Sequence, residues 1–236
     1  MTRTLQAIIF DFDGVIANSE PLHYTAFRQA LDEDGIDLTA ADYYAHYLGF
    51  DDVGVFQALG RDRGVPMGAS RVEALVTRKG ERLQELLDGG SVLFPGAVDF
   101  IRQAAAAVPI AIASGALRHE IDEILQAAGV DSLFRTIVAS GDTAESKPSP
   151  EPYRRAFEQL RAEAGVLLDP RRTVAIEDSR WGLESARGAG LRCVGVTNSY
   201  PAQALGGAEL IADGLGALSL DALDRLCESV PGSQGV

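Results

Sequence analysis

Apolar residues along this chain fall into two kinds of pattern. Five short unbroken runs, Ala7 to Phe10, Pro109 to Ala113, Thr136 to Ala139, Thr173 to Ile176 and Arg192 to Val196, are rich in Ile and Val and do not alternate with polar positions. That is the pattern of parallel strands covered on both faces. Leu210 to Ala212 is a weaker sixth run. Between the later runs, helical spacing extends over Val98 to Ala107, Arg118 to Ala128, Pro150 to Ala164 and Ser179 to Arg187. The last three stop at or near Gly129, Gly165 and Gly188, as helices do. From residue 92 onward helix and strand alternate, which predicts an α/β core on a parallel sheet.

The interval from residue 19 to 90 breaks that rhythm and offers no strand pattern. Ser19 is placed as an N-cap, with Glu20 and Pro21 in the first turn. Tyr24, Phe27, Ala30 and Leu31 then recur at helical spacing. Further helices are expected over Ala40 to Tyr47, Asp52 to Leu59 and Ser70 to Leu87. The division expected is a core of residues 1–17 and 92–230, an inserted all-helical cap of residues 18–91, and a disordered Gly/Ser-rich tail, 231–236. A (β/α)8 barrel needs eight repeating units, and the strand-free block leaves too few.

Composition narrows the picture. The 236 residues are 46% hydrophobic and 23% charged, which excludes a disordered chain, a collagen-like repeat and a disulfide scaffold. The net charge of -13 argues against a nucleic-acid partner, because a polyanion is repelled. No apolar run reaches the roughly 18 residues of a membrane span, so no membrane partner is expected. Cys193 and Cys227 fit no metal spacing and are expected to stay reduced. The N-terminal segment lacks the pattern of an export signal, so a cytoplasmic location is expected, and the chain is taken to act as a monomer. Lys79 and Lys147 are the only lysines among 21 basic residues.

In an open parallel sheet, ligands bind beyond the carboxyl ends of the strands. After the first strand come Asp11 and Asp13; after the second, Ser114 and Gly115; a few residues past the third, Lys147; after the fourth, Glu177 and Asp178. Four carboxylates at one edge raise each other's pKa or call for a cation. Oxygen-only ligands beside a phosphate site suit Mg²⁺. With Lys147 as a second positive charge, a phosphate dianion can approach an aspartate, which suggests phosphoryl transfer through an aspartyl phosphate. In that reading Asp11 is the nucleophile and Asp13 the acid and base. Ser114 and Lys147 hold the phosphoryl group, and Asp178 with Glu177 completes the metal shell. Singly each is bland: Ser114 a turn residue, Lys147 a loop lysine, Glu177 and Asp178 the acids of a helix start. Their common register at one sheet edge gives them weight.

The strings DFDGVIANSE from Asp11, ASG at Ala113 to Gly115, SKPSPEPY from Ser146 and IEDSRWGLESARGAG from Ile176 resemble the four ordered motifs of the haloacid dehalogenase superfamily. The insert after the first motif resembles the small helical cap of the branch that holds β-phosphoglucomutases, phosphoglycolate phosphatases and many sugar-phosphate phosphatases. The resemblance implies a Rossmann-like core, Asp11 as nucleophile, Asp13 as acid and base, and Mg²⁺ held by Asp11, the Asp13 carbonyl and Asp178. It also matches His23 to a cap histidine that faces the site, beside the plainer reading of an exposed helix histidine.

The departures from the family separate its activities. Dehalogenases lack the second aspartate, so Asp13 favours phosphate chemistry. Phosphonatases use a cap lysine; Lys79 lies well past the matching place. Mutases carry an arginine in the cap loop, where this chain has Leu48-Gly49-Phe50-Asp51-Asp52. They also carry Ser-Lys-Asn after the second motif, where this chain has Ala116-Leu117-Arg118. Arg118 could replace that phosphate contact by charge and reach. The reading is therefore a Mg²⁺-dependent phosphatase acting on a small-molecule phosphate ester such as a sugar phosphate. Gly115, His23, Arg118 and residues 50–53 are its specificity candidates. The alternatives are a sugar phosphomutase, or a phospho-signalling or binding module without catalysis. Trp181 and Tyr153 sit on helical patterns and are read as packing.

Overall fold

The computed structural model describes residues 3–47, 50–87, 92–165 and 167–228. The expected disordered tail, 231–236, lies outside the described residues, as do Leu48 and Gly49 of the cap loop. In chain order, β1 (Ala7–Phe10) is followed by α1 (Glu20–Asp32) and a short α2 (Ala40–Asp42) that runs into a wide π-type turn at Tyr43–Tyr47. Next come α3 (Asp52–Asp62), α4 (Ala69–Leu87), α5 (Ala97–Ala107), β2 (Ile110–Ala113), α6 (Arg118–Ala127) and β3 (Thr136–Val138). The chain continues through α7 (Glu151–Ala164), β4 (Thr173–Glu177), α8 (Arg180–Gly188), β5 (Arg192–Val196), β6 (Leu210–Ala212) and α9 (Leu220–Glu228). It divides into two compact units, Met1–Asn18 with Leu93–Val236, and Ser19–Val92.

The first unit holds a six-stranded sheet in the order β3-β2-β1-β4-β5-β6, with every pairing parallel. The α/β class with a parallel sheet is as expected. Side chains alternate across the sheet, and both faces are covered, which is why the strands read as unbroken apolar runs. Ala7, Ile9, Ala111, Ala113, Ala175 and Cys193 pack with Tyr153, Phe157 and Leu160 of α7 and Leu183 of α8. On the opposite face, Phe10 meets Phe100 and Phe134 edge-on, at centroid distances of 6.2 and 6.1 Å. The face under α7 is built largely from alanine, which leaves room for that helix's aromatic rings.

Register then sets the site. Phe10 is level with Ile112 on one side and Ile176 on the other, so Asp11 and Glu177 leave neighbouring strands at the same height. The order β2-β1-β4 makes the β1/β4 boundary the place where successive connections turn in opposite directions along the sheet. A parallel sheet opens a crevice at such a point.

Every regular element among the second unit's described residues is helical. Phe27, Leu31, Val55, Phe56, Leu59, Val72 and Leu75 form its core with Leu38, Tyr43 and Tyr47. Two expectations are corrected, and one helix of the first unit was not expected. Ser19 stands at the start of α1 but makes no side-chain cap: its backbone is already helical (φ -80°, ψ -22°), and its carbonyl accepts from the Leu22 and His23 N–H groups instead. The helix expected over Ala40 to Tyr47 is two pieces, with Thr39 capping the first and the Tyr43 and Tyr47 hydroxyls bonded to Glu20 (2.5 Å) and Asp62 (2.8 Å). Helix α9, in the first unit, buries Leu223 and Cys227, and Asp224 Oδ1 accepts from the N–H groups of Thr4 (2.7 Å) and Leu5 (2.8 Å).

Candidate active site

Asp11 follows β1 directly and is buried. Its Oδ1 accepts from its neighbour's amide, Phe12 N–H (2.7 Å), and from Lys147 Nζ (2.8 Å). The Lys147 ammonium also donates to Glu177 Oε1 at 2.6 Å, so it bridges two carboxylates that leave adjacent strands. Glu177, with no exposed surface, is fully engaged. Oε1 accepts from Lys147 and from the Tyr153 hydroxyl (3.0 Å), and Oε2 accepts from Asp178 N–H (3.1 Å), Ser179 N–H (3.2 Å) and Ser179 Oγ (3.0 Å). Ser179 Oγ in turn accepts from Gly182 N–H, so one small network both seats Glu177 and starts α8.

Two glycines seat the acids. A Cβ on Gly14 would fall 1.9 Å from Asp178 Oδ2, and Gly14 also has φ +77°, a conformation side chains disfavour. A Cβ on Gly182 would fall 1.7 Å from Glu177 Oε1. Asn198 Nδ2 donates to the Gly14 carbonyl (2.7 Å), and Ser199 bonds to Asp178, so the loop after β5 holds this corner.

The electrostatics are unbalanced. Carboxylate oxygens of Asp11, Glu177 and Asp178 all lie within 4.8 Å of one another. Among the described residues the one ammonium on this cluster is that of Lys147, so three ionised carboxylates would leave an excess of two negative charges. Burial, then the charge on Glu177, raises Asp11 well above the usual carboxylate range despite Lys147. The same two causes push Asp178 up to about 7, and Asp13 adds to the repulsion. Glu177 goes the other way: burial opposes its charge, but Lys147 and Ser179 outweigh it and lower its pKa. Lys147 is raised, because Asp11 and Glu177 outweigh the effect of its burial. A hard divalent cation among the acids would cancel the excess, and an oxygen-only donor set suits one.

The other residues singled out from the sequence divide. Asp13 is half-buried and close enough to act on Asp178. Ser114 is buried at the end of β2, where its oxygen accepts from Ala116 N–H (3.0 Å) and its hydroxyl proton is left to donate. Gly115 is exposed, with open space where a side chain would go. Arg118 is exposed and held along its own helix by Asp122, with Nε 3.0 Å from each oxygen. His23 lies in the helical unit, where its Nδ1 accepts from Lys79 Nζ (2.9 Å). Lys79, 1% exposed, also pairs with Asp52 (3.0 Å).

Tyr153 packs as expected and does more. Its hydroxyl also bonds to Glu177, and its ring lies beneath Lys147 with the ammonium 5.0 Å from the centroid. Helical spacing marked the ring as core and carried no information about the hydroxyl.

Strand-end acids, a bridging lysine and a serine on a Rossmann-like sheet define a class, and comparison with known proteins identifies it. The sequence profile of the haloacid dehalogenase-like hydrolases matches residues 8–196, and the chain belongs to that family. It is 33% identical over 205 residues to the protein CbbY of Rhodobacter capsulatus, covering 83% of this chain and 87% of that one. It is 29% identical to the phosphoglycolate phosphatase of Pectobacterium atrosepticum over 198 residues, 83% of this chain and 82% of that one. Among solved structures, a mutant CbbY from Rhodobacter sphaeroides in complex with xylulose-(1,5)bisphosphate superposes with a TM-score of 0.81 at 28% identity, covering 91% and 96% of the two chains. Within the family the chain is thus a phosphatase.

Proposed function

We propose that this phosphatase hydrolyses a small phosphorylated sugar, with Mg²⁺, through a phosphoryl group carried on Asp11. The observation that carries the reading is the Lys147 bridge between Asp11 and Glu177, inside a buried acid cluster whose charge one lysine does not balance. Asp11, Asp178 and the Asp13 carbonyl would hold the metal, and Glu177 shares the cluster with both oxygens engaged by donors. Bound there, Mg²⁺ would supply positive charge against the phosphate and lower its repulsion from Asp11.

The steps follow from the side chains. An Asp11 carboxylate oxygen attacks phosphorus while the ester P–O bond breaks. Asp13 gives its proton to the leaving oxygen, then takes one from the water that attacks the aspartyl phosphate, which frees phosphate and the Asp11 carboxylate. Lys147 and the Ser114 hydroxyl hold the phosphoryl oxygens as charge builds on them. His23 and residues 50–53 of the helical unit, with Gly115 and Arg118, are the residues proposed to set specificity.

Hydrolysis is favoured over mutation of a sugar phosphate by the cap-loop acids. Asp51 Oδ1 accepts from Gly54 N–H (2.7 Å) to start α3, and Asp52 pairs with Lys79. Neither offers a positive grip for a second phosphate. The substrate in one relative's name, phosphoglycolate, and the ketose bisphosphate bound to another support a small phosphorylated carbohydrate or acid as the substrate class. The test is phosphate release from a panel holding 2-phosphoglycolate, xylulose 1,5-bisphosphate, hexose 6-phosphates and β-glucose 1-phosphate, with and without Mg²⁺. Mg²⁺-dependent release that disappears in Asp11→Asn supports the reading. Glucose 6-phosphate formed without net release would replace it with a mutase.

A further inference from the structure

The alanine-rich face of the sheet accommodates the aromatic ring of Tyr153, and a phenylalanine would fill the same volume. The hydroxyl is therefore the feature to account for. A buried hydroxyl is costly without a partner. Tyr153 has no exposed surface, and its hydroxyl donates to Glu177 Oε1, the oxygen that also holds Lys147. The ring meets the same ammonium with its face, within the range of a cation–π contact. One side chain thus touches both members of the Lys147–Glu177 pair, from a helix whose Phe157 and Leu160 are anchored in the same core.

We infer that Tyr153 is a positioning residue of the phosphoryl site, dividing the Lys147 ammonium evenly between Asp11 and Glu177. This rests on the function proposed above. The ammonium lies 2.6 Å from Glu177 and 2.8 Å from Asp11, so it has two nearly equal anchors. By donating to Oε1, the tyrosine satisfies part of Glu177's charge and weakens its hold on the lysine. The ring face supports the ammonium from below and leaves its outward side for the phosphoryl group. Without the hydroxyl, Lys147 would settle toward Glu177 and away from the atom that carries the phosphoryl group. A displacement of this kind weakens the transition state more than the bound substrate.

The test compares Tyr153→Phe with wild type and with Phe157→Leu, a core change on the same helix away from the site. The readouts are kcat and KM on the best substrate of the panel, Tm, and affinity for tetrafluoroaluminate with Mg²⁺, an analogue of the phosphoryl group in flight. Tyr153→Phe is expected to lower kcat about tenfold and to weaken tetrafluoroaluminate binding by a similar factor, with KM and Tm nearly unchanged. Phe157→Leu is expected to lower Tm and leave kcat within about twofold. Wild-type kcat in Tyr153→Phe, or an equal loss of kcat in Phe157→Leu, would overturn the assignment. A wild-type protein that hydrolyses nothing in the panel would instead strike at the function itself.

Discussion

The Cα of Gly182 lies so close beneath the Glu177 carboxylate that a Cβ there would sit 1.7 Å from Oε1. Neither side can give way easily. Gly182 is in the first turn of α8, and Glu177 is held by Lys147, Tyr153 and Ser179. Gly182→Ala is therefore expected to cost about 2 kcal/mol or more by overpacking, and to lower kcat by displacing Lys147. Gly115→Ala, which meets open space, is expected to keep the wild-type Tm. Thermal melts of both variants check this, and equal Tm values would contradict the packing argument.

Among the described residues, Lys147 is the one cation that touches both Asp11 and Glu177. Lys147→Met is expected to lower kcat by about 10²- to 10³-fold, the usual cost of losing one charge-stabilising donor. It should also change the pH dependence of stability. Asp11 is already raised, and without the ammonium it loses the partner that lowers it; a carboxyl raised on folding loses stability as pH rises. The variant should be more stable near pH 5 than near pH 8, with a steeper decline than wild type, as measured by urea denaturation. Parallel profiles would show that Lys147 does not carry this charge.

Asp178 gives a sign for metal binding. Its pKa is pushed up from 3.8 to about 7, chiefly by burial and then by Glu177. Metal-free protein should therefore lose stability as pH rises from about 4 to 7, since the folded state holds this proton more tightly than the unfolded state. Mg²⁺ must displace the same proton, so its stabilising effect should be small near pH 5 and grow until about pH 7. At a hundred times its dissociation constant a ligand contributes about 2.7 kcal/mol, or roughly 5–10 °C of Tm in a chain of this size. Melts with Mg²⁺ and with EDTA across that range measure it. A Mg²⁺ effect that does not change with pH would contradict it.

In the helical unit, Lys79 binds both Asp52 and His23 Nδ1. An ammonium donating to Nδ1 leaves Nε2 carrying the proton, and burial followed by the Lys79 charge lowers the His23 pKa well below 6.5. His23 is expected to show no titration between about pH 5.5 and 8 in its ring proton NMR shifts. Lys79→Met removes the lesser of the two causes and leaves the burial, so it should raise the His23 pKa while keeping it below 6.5, and it should cost about 1–2 kcal/mol because the half-buried Asp52 loses its partner. Adding Asp52→Asn should recover part of the loss. A wild-type midpoint near 6.5 would refute the arrangement.

The sheet was legible because strands buried on both faces write themselves as apolar runs. The meeting of Asp11, Glu177 and Asp178 was legible because the ends of those runs are where a parallel sheet delivers ligands; Lys147, which joins them, lies on the loop well past β3. What the sequence hid was contact across long separations. Tyr153 and Glu177 are 24 residues apart, and helical periodicity classes a tyrosine by its ring alone. Gly182 reads as an ordinary helix residue until the Glu177 carboxylate is placed over it. Lys79 looked misplaced as a catalytic lysine, and its partners His23 and Asp52 lie on other helices of the same unit. Helix α9 did carry a signal, since Leu223 and Cys227 stand at helical spacing and are buried; what the sequence hid was the bond of its Asp224 to backbone at the far end of the chain.

The central claim is that the phosphoryl group passes through Asp11. The most direct measurement is borohydride trapping of Asp13→Ala during turnover with Mg²⁺, followed by peptide mass spectrometry. Asp13→Ala removes the base proposed to activate water, so the acyl phosphate should persist long enough to be reduced. The account predicts homoserine at position 11, dependent on substrate and on Mg²⁺. Reduction at another carboxylate, or an unmodified Asp11 under conditions where the variant still releases phosphate, would contradict it.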